Sequence, residues 1–184
     1  MTRILTTTIA LFFLQGGLLH SAGYADSSWS SPVNGLQARL ILARTQPENG
    51  TILIATHLEL CNVSYGAGVM EVPFKDSAIQ FEVVSEQGEK LAPTNQSFDG
   101  ISIKVGTLRL PFDSCLRFNI SEHGSGIPKN QAAALDLGVG QSWVIRRGDK
   151  RAYYLRARFS VEKAKDPLWW GMLEIPKAKI PIAK

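Results

Sequence analysis

Histidine and cysteine are scarce in this chain: three histidines and two cysteines among 184 residues. Two cysteines are too few for a disulfide-dense scaffold or a four-cysteine zinc site. The stretch His123-Gly124-Ser125-Gly126 sets a hydroxyl near an imidazole, but it lacks the spacing of a nucleophile elbow and a strand–loop–helix context. It reads as an ordinary turn. No internal repeat and no low-complexity tract are present, which removes solenoid and tract-like architectures. Past residue 19 no apolar run approaches the roughly 20 residues that a helix needs to cross a bilayer. Helical periodicity is nearly absent too. Only Gln131 to Leu137, with its three alanines, favours a helical turn.

What the chain does have begins at its N-terminus. Arg3 precedes an apolar stretch from Ile4 to Leu19, and Gly23-Tyr24-Ala25 supplies small residues at the two positions a signal peptidase accommodates. The expectation is a signal peptide over residues 1–25, a polar leader over 26–35 and one domain over 36–184. The rival, an uncleaved anchor helix, is weakened by Gln15, Gly16 and Gly17, which interrupt the run. No cysteine lies near the cleavage point, so no bacterial lipid anchor is indicated. The protein is expected to be secreted or periplasmic, with no transmembrane segment once the signal is removed.

The body of the chain alternates with period two, segment after segment. Leu36, Ala38, Leu40 and Leu42 form one stripe; Ile52, Ile54, Leu58 and Leu60 the next; Ile79, Phe81 and Val83 a third. Leu116, Phe118 and Ile120 follow. Tyr153, Leu155, Ala157, Phe159 and Val161 alternate most regularly, against Tyr154, Arg156, Arg158 and Ser160. Shorter β candidates lie at Ile101–Val105, Leu108–Phe112, Ala133–Leu137, Trp143–Arg146, Trp169–Ile175 and Lys179–Ile182. Ser64 to Pro73 and His123 to Gln131 read as loops, and Pro47-Glu48-Asn49-Gly50 as a turn. Many short strands with one polar face predict an all-β protein, a sandwich or barrel built from antiparallel sheets.

Two stretches carry a resemblance. Trp29-Ser-Ser-Pro-Val33-Asn34-Gly35-Leu36-Gln37-Ala38-Arg39-Leu40, followed by Leu58-Glu59-Leu60-Cys61-Asn62-Val63-Ser64, is similar to the first two strands of uncharacterised bacterial immunoglobulin-like modules. Trp170-Gly171-Met172-Leu173-Glu174-Ile175-Pro176 resembles their closing strand. The Leu-x-Leu-x-Asn-x-Ser ending also resembles, over a few residues, the proteinase-inhibitor family with an immunoglobulin-like fold. The resemblance implies an immunoglobulin-like antiparallel β-sandwich and brings no catalytic residues. Antibody-type domains fit poorly: no Trp stands in the strand after Cys61 and no Tyr two residues before Cys115.

Cys61 and Cys115 are expected to pair in an oxidising compartment; the alternative is two separate thiols. His57, Glu59 and Cys61 stand at i, i+2 and i+4, so one strand face presents all three. With Cys115 or His123 they could bind zinc or copper. The competing expectation is a solvated strand face. Asn49, Asn62, Asn95 and Asn119 head N-glycosylation patterns, which a bacterial source would leave as chance matches. Trp169 and Trp170 are adjacent, so one faces in and the other out, either to stack on a sugar or to cover a sheet edge.

Charge is uneven. Residues 26–140 hold 8 Lys/Arg and 12 Asp/Glu, a balance of −4; residues 141–184 hold 11 and 4, a balance of +7. Arg146, Arg147, Lys150, Arg151, Arg156 and Arg158 cluster within that basic third and form a candidate contact for a polyanion. The alternative is that Glu82, Glu86 and Glu89 neutralise them across the sheet. With no acid–base–nucleophile constellation, the functional expectation is an exported, non-enzymatic binding or structural module of the cell envelope. It needs no cofactor, and its partner is an anionic envelope polymer or another envelope protein rather than nucleic acid. The alternative is a metal-binding protein or metal-dependent enzyme using His57, Glu59 and Cys61.

Overall fold

A computed structural model describes residues 23–66, 68–75, 78–96, 106–121, 129–137, 140–163 and 168–182. The expected signal segment through residue 22, the β candidate at 101–105 and His123 lie outside the described residues. Within them the protein is all-β, with several packed sheets.

The largest sheet is organised by one long hairpin. β2 (Leu36–Glu48) and β3 (Thr51–Asn62) pair antiparallel along most of their length. They join through Asn49-Gly50, both at positive φ (51° and 76°). Asn-Gly is the dipeptide that tolerates this two-residue turn, whose twist matches that of the flanking strands. The same device recurs just before β2. Asn34 and Gly35 (φ 47° and 77°) reverse the chain between Val33 and Leu36, whose backbone N–H groups donate to each other's carbonyls at 2.9 and 3.0 Å. The expected leader is thereby drawn into the sheet: β1 (Tyr24–Asp26) pairs with Ile41–Ala43 of β2. The Ser27 and Ser30 amides continue the ladder onto the Leu40 and Ala38 carbonyls. The expected cleavage point after Ala25 falls inside β1.

On its other edge β3 is shared. β9 (Cys115–Asn119) runs antiparallel to His57–Cys61, and β10 (Ala133–Leu137) runs parallel to Ile52–Leu53. β11 (Gln141–Ile145) and β7 (Asn95–Gln96) complete that sheet. A second sheet holds, in spatial order, β13 (Gly171–Lys179), β12 (Tyr153–Val161), β5 (Ile79–Ser85) and β6 (Lys90–Leu91). β4 (Val69–Phe74) and β8 (Gly106–Pro111) form a two-stranded ribbon.

The two larger sheets share one core. Leu36, Ala38, Leu40 and Leu42 of β2, Ile54, Leu58 and Leu60 of β3, and Leu135, Leu137, Trp143 and Ile145 face Phe81, Val83, Leu155, Phe159, Leu173 and Ile175. Phe159 is fully buried and stacks between Phe74 (centroids 5.9 Å apart) and Trp169 (5.5 Å). Trp169 also donates its indole N–H to the Val33 carbonyl at 2.9 Å, fastening the closing strand to the Asn34-Gly35 turn.

Three local expectations are corrected. Ser64–Pro73 is not all loop: β4 begins at Val69, because Val72 and Phe74 have a core face to fill. The β candidate at Ala133–Leu137 stands as β10, and the helical turn that the alanines of Gln131–Leu137 favour does not form. Ala133 and Leu135 are fully buried between β3 and β11, and that packing outweighs their helix preference. Pro176 does not divide the closing segment. β13 continues through it as an edge strand, with a register shift opposite Leu155–Ala157 that absorbs the residue unable to donate.

Candidate functional site

Cys61 and Cys115 are directly opposite on β3 and β9, with Cα atoms 4.1 Å apart, and they form a disulfide. Cys61 therefore has no thiolate to offer a metal. Glu59, two residues earlier, is also committed. It lies between Arg39 of β2, whose Nε donates at 2.6 Å, and Arg117 of β9, whose Nη2 donates at 3.1 Å. Arg39 in turn lies 4.6 Å over the Trp29 ring and 3.6 Å from Asp26. These side chains roof the strand face that the alternation marks as solvated. Glu59 is only 8% exposed and Cys61 is buried. His57 stands opposite Asn119 and keeps a buried Nδ1 without a hydrogen-bond partner among the described residues. Among the described residues no group of three His, Cys, Asp or Glu side chains is arranged to hold a metal.

The six cations of the candidate polyanion contact separate into two groups. Arg156 and Arg158 are on the outer face of β12, and both are neutralised across the sheet. Arg156 stands in register with Glu82 and binds it, alongside Lys90. Arg158 binds Glu174 of β13 at 2.7 Å. Lys90, then Arg156, hold the Glu82 carboxyl below its ordinary range.

The other four occupy the turn between β11 and β12. Arg151 is tied down: it grips Asp149 through Nε (3.1 Å) and Nη2 (2.9 Å) and lies 3.8 Å from Glu89. Tyr153 donates its hydroxyl to the same Asp149 at 2.8 Å. The Arg151 guanidinium first, then its backbone N–H and the Tyr153 hydroxyl, hold the Asp149 carboxyl far below the usual carboxylate range. Burial, then the hydrogen bond to Asp149, raises the Tyr153 hydroxyl. The expected screen of carboxylates is therefore real for Glu82 and Glu89, while Glu86 makes no ion pair among the described residues.

Arg146, Arg147 and Lys150 remain. They are exposed, and among the described residues none has a carboxylate partner. Arg147 instead donates to the Gly50 carbonyl at 3.0 Å, linking this turn to the β2–β3 hairpin. Beside it, residues from both larger sheets line a cleft of about 880 Å³. Pro47, Ile52, Ala132, Ile180 and Ile182 give it an apolar floor, and Arg147, Lys150, Arg151 and Lys179 stand around it with Asp149. That lining holds four cations and one carboxylate. Lys179 had no place in the sequence-based cluster: 28 positions separate it from Arg151, and only the pairing of Tyr154 with Lys179 brings it to this end.

Trp170 and Met172 are exposed on the opposite flank, with Lys163 5.0 Å over the Trp170 ring. Asn62, one of the four glycosylation-pattern residues, is fully buried, with its amide donating to the Leu110 carbonyl. Comparison with family models, curated proteins and solved structures finds no match for this chain.

Proposed function

We propose that this protein is an exported, non-enzymatic binding module of the cell envelope, an immunoglobulin-like β-sandwich whose cationic end receives an anionic partner. One observation carries the reading. Arg147, Lys150 and Lys179 gather around the end cleft, with Arg146 beside them in the chain, and among the described residues none has a carboxylate partner, whereas Arg156 and Arg158 on the sheet face are each paired. Unpaired cations grouped at one place raise the local potential, and a paired row does not. Export is supported by the N-terminal apolar stretch ending in Gly23-Tyr24-Ala25 and by a disulfide of the kind that persists in oxidising compartments. The metal-dependent alternative has no comparable support, since its cysteine is oxidised and its carboxylate is held by two arginines.

The partner is read as an anionic envelope polymer or the acidic surface of another envelope protein. Binding of the mature protein to dextran sulfate, with uncharged dextran as control, tests this across a salt series. Affinity should fall steeply as the Debye length shrinks from about 30 Å at 0.01 M to about 8 Å at 0.15 M. Equal retention on both dextrans, or no retention at low salt, would remove the anionic partner from the account.

A further inference from the structure

The apolar floor of the end cleft is more than a polyanion requires. Sulfated or phosphorylated polymers are held at their charges, and a flat cationic surface suffices for that. Here the cations instead border a concave surface of about 880 Å³, within the roughly 300–1,000 Å³ of small-molecule sites. Its floor runs into the core: Ile52 and Ile180 are buried core residues, and Ala132 and Ile182 pack against them. The walls belong to different sheets and are fixed by backbone hydrogen bonds. Ala132 N–H donates to the Ile145 carbonyl at 2.9 Å, and Ile180 N–H to the Tyr153 carbonyl at 2.8 Å. The Arg147–Gly50 bond closes one side at 3.0 Å. The fold's own hydrogen bonds thus hold the cleft's walls.

Its charges are sorted as well. Arg151 is consumed by Asp149 and Glu89, which leaves Arg147, Lys150 and Lys179 for an incoming anion. An apolar concavity with surplus positive charge at its border matches a molecule with an alkyl body and a single anionic head.

Resting on the reading of this end as an anion-binding surface, we propose that the cleft binds a small amphiphilic anion, with an acyl or alkyl chain on the Pro47–Ile52–Ala132–Ile180–Ile182 floor and a carboxylate or phosphate head between Lys150 and Lys179. Charge complementarity selects the head, and the apolar floor selects the chain. The ligand is a free amphiphile rather than a bilayer surface, since the apolar surface is recessed within the cleft.

The test is calorimetric titration of the mature protein with alkyl phosphates from butyl to decyl, all below their micelle concentrations, and with dextran sulfate in parallel. Each added methylene that reaches the floor should tighten binding about fourfold. Exchanging both head-group cations, Lys150→Ala with Lys179→Ala, should weaken the octyl ligand by about tenfold or more. Ala132→Phe should blunt the chain-length gain by filling the floor, with its melting temperature checked against the parent. The surface lysine variant keeps the test decisive if that substitution unfolds the protein. Dextran sulfate binding with no chain-length dependence overturns this inference and leaves the anion-binding reading standing. Failure of both ligands overturns both. A chain-length gain with an octyl affinity unchanged by the lysine substitutions makes the cleft merely apolar and overturns the head-group assignment. Binding to phosphatidylglycerol vesicles without binding to free alkyl phosphates overturns the choice of a free amphiphile.

Discussion

Phe159 and Arg158 are neighbours in the chain and opposites in energetic weight. Phe159 is fully buried between Phe74 and Trp169, so Phe159→Ala should cost about 3–5 kcal/mol. Arg158 is half exposed in an ion pair with Glu174, and its replacement by Ala should stay within roughly 0.5 kcal/mol. Chemical denaturation of the two variants measures the difference directly; equal midpoints would mean that the register of β12 is wrong. That register was legible in the sequence, because strict alternation over nine residues admits one inward set. Glu59 was not legible. Its neighbours in space, Arg39 and Arg117, stand 20 and 58 positions away, and no local pattern shows that they close over it. Glu59→Gln keeps the shape but removes the charge between two guanidinium groups. It should lower stability by about 1–3 kcal/mol, more than Glu174→Gln at the exposed Arg158 pair, as thermal melts would show.

At the scale of elements, the Pro47-Glu48-Asn49-Gly50 turn and the alternating stripes marked the long β2–β3 hairpin, whereas the Asn34-Gly35 turn and the short segments depended on context. Ala133–Leu137 has the composition of a helix and the burial of a strand, since β3 and β11 supply partners on both sides. The disulfide ties β9 to β3 across a 54-residue separation. Its loss through Cys61→Ser with Cys115→Ser should cost about 2–4 kcal/mol, most of it through the unfolded chain. An unchanged denaturation midpoint would show that the β3–β9 ladder alone holds this edge.

The β11–β12 turn makes stability pH-dependent. Asp149 has an ordinary value of 3.8 and is depressed in the folded protein, so the folded state binds its proton less readily than the unfolded chain. Its contribution is complete above that ordinary value and is lost as pH falls below it toward the depressed folded value. Glu82 acts in the same direction. Asp149→Asn should therefore lower stability at pH 7 and flatten the decline between about pH 4 and pH 2, as read from denaturation midpoints across that range. A decline as steep as the parent's would place the acid sensitivity elsewhere.

For the whole molecule, all-β class and one shared core followed from the many one-faced strands. The arrangement of the sheets did not: β3 divides one edge between an antiparallel and a parallel neighbour, a choice made by packing rather than by any stretch of sequence. The basic third of the chain was equally plain as composition and opaque as geometry. Counting could not tell that Arg156 and Arg158 are neutralised across strands while Lys179 joins Arg147 and Lys150 at the end of the sheets. The central claim is that this end, and not the basic strand face, meets the anionic partner. It is tested most directly by comparing two charge reversals in one low-salt binding assay on dextran sulfate. Arg147→Glu with Lys150→Glu should abolish retention, and Arg156→Glu with Arg158→Glu should leave most of it. Loss of retention in the second variant with retention kept in the first would contradict the account.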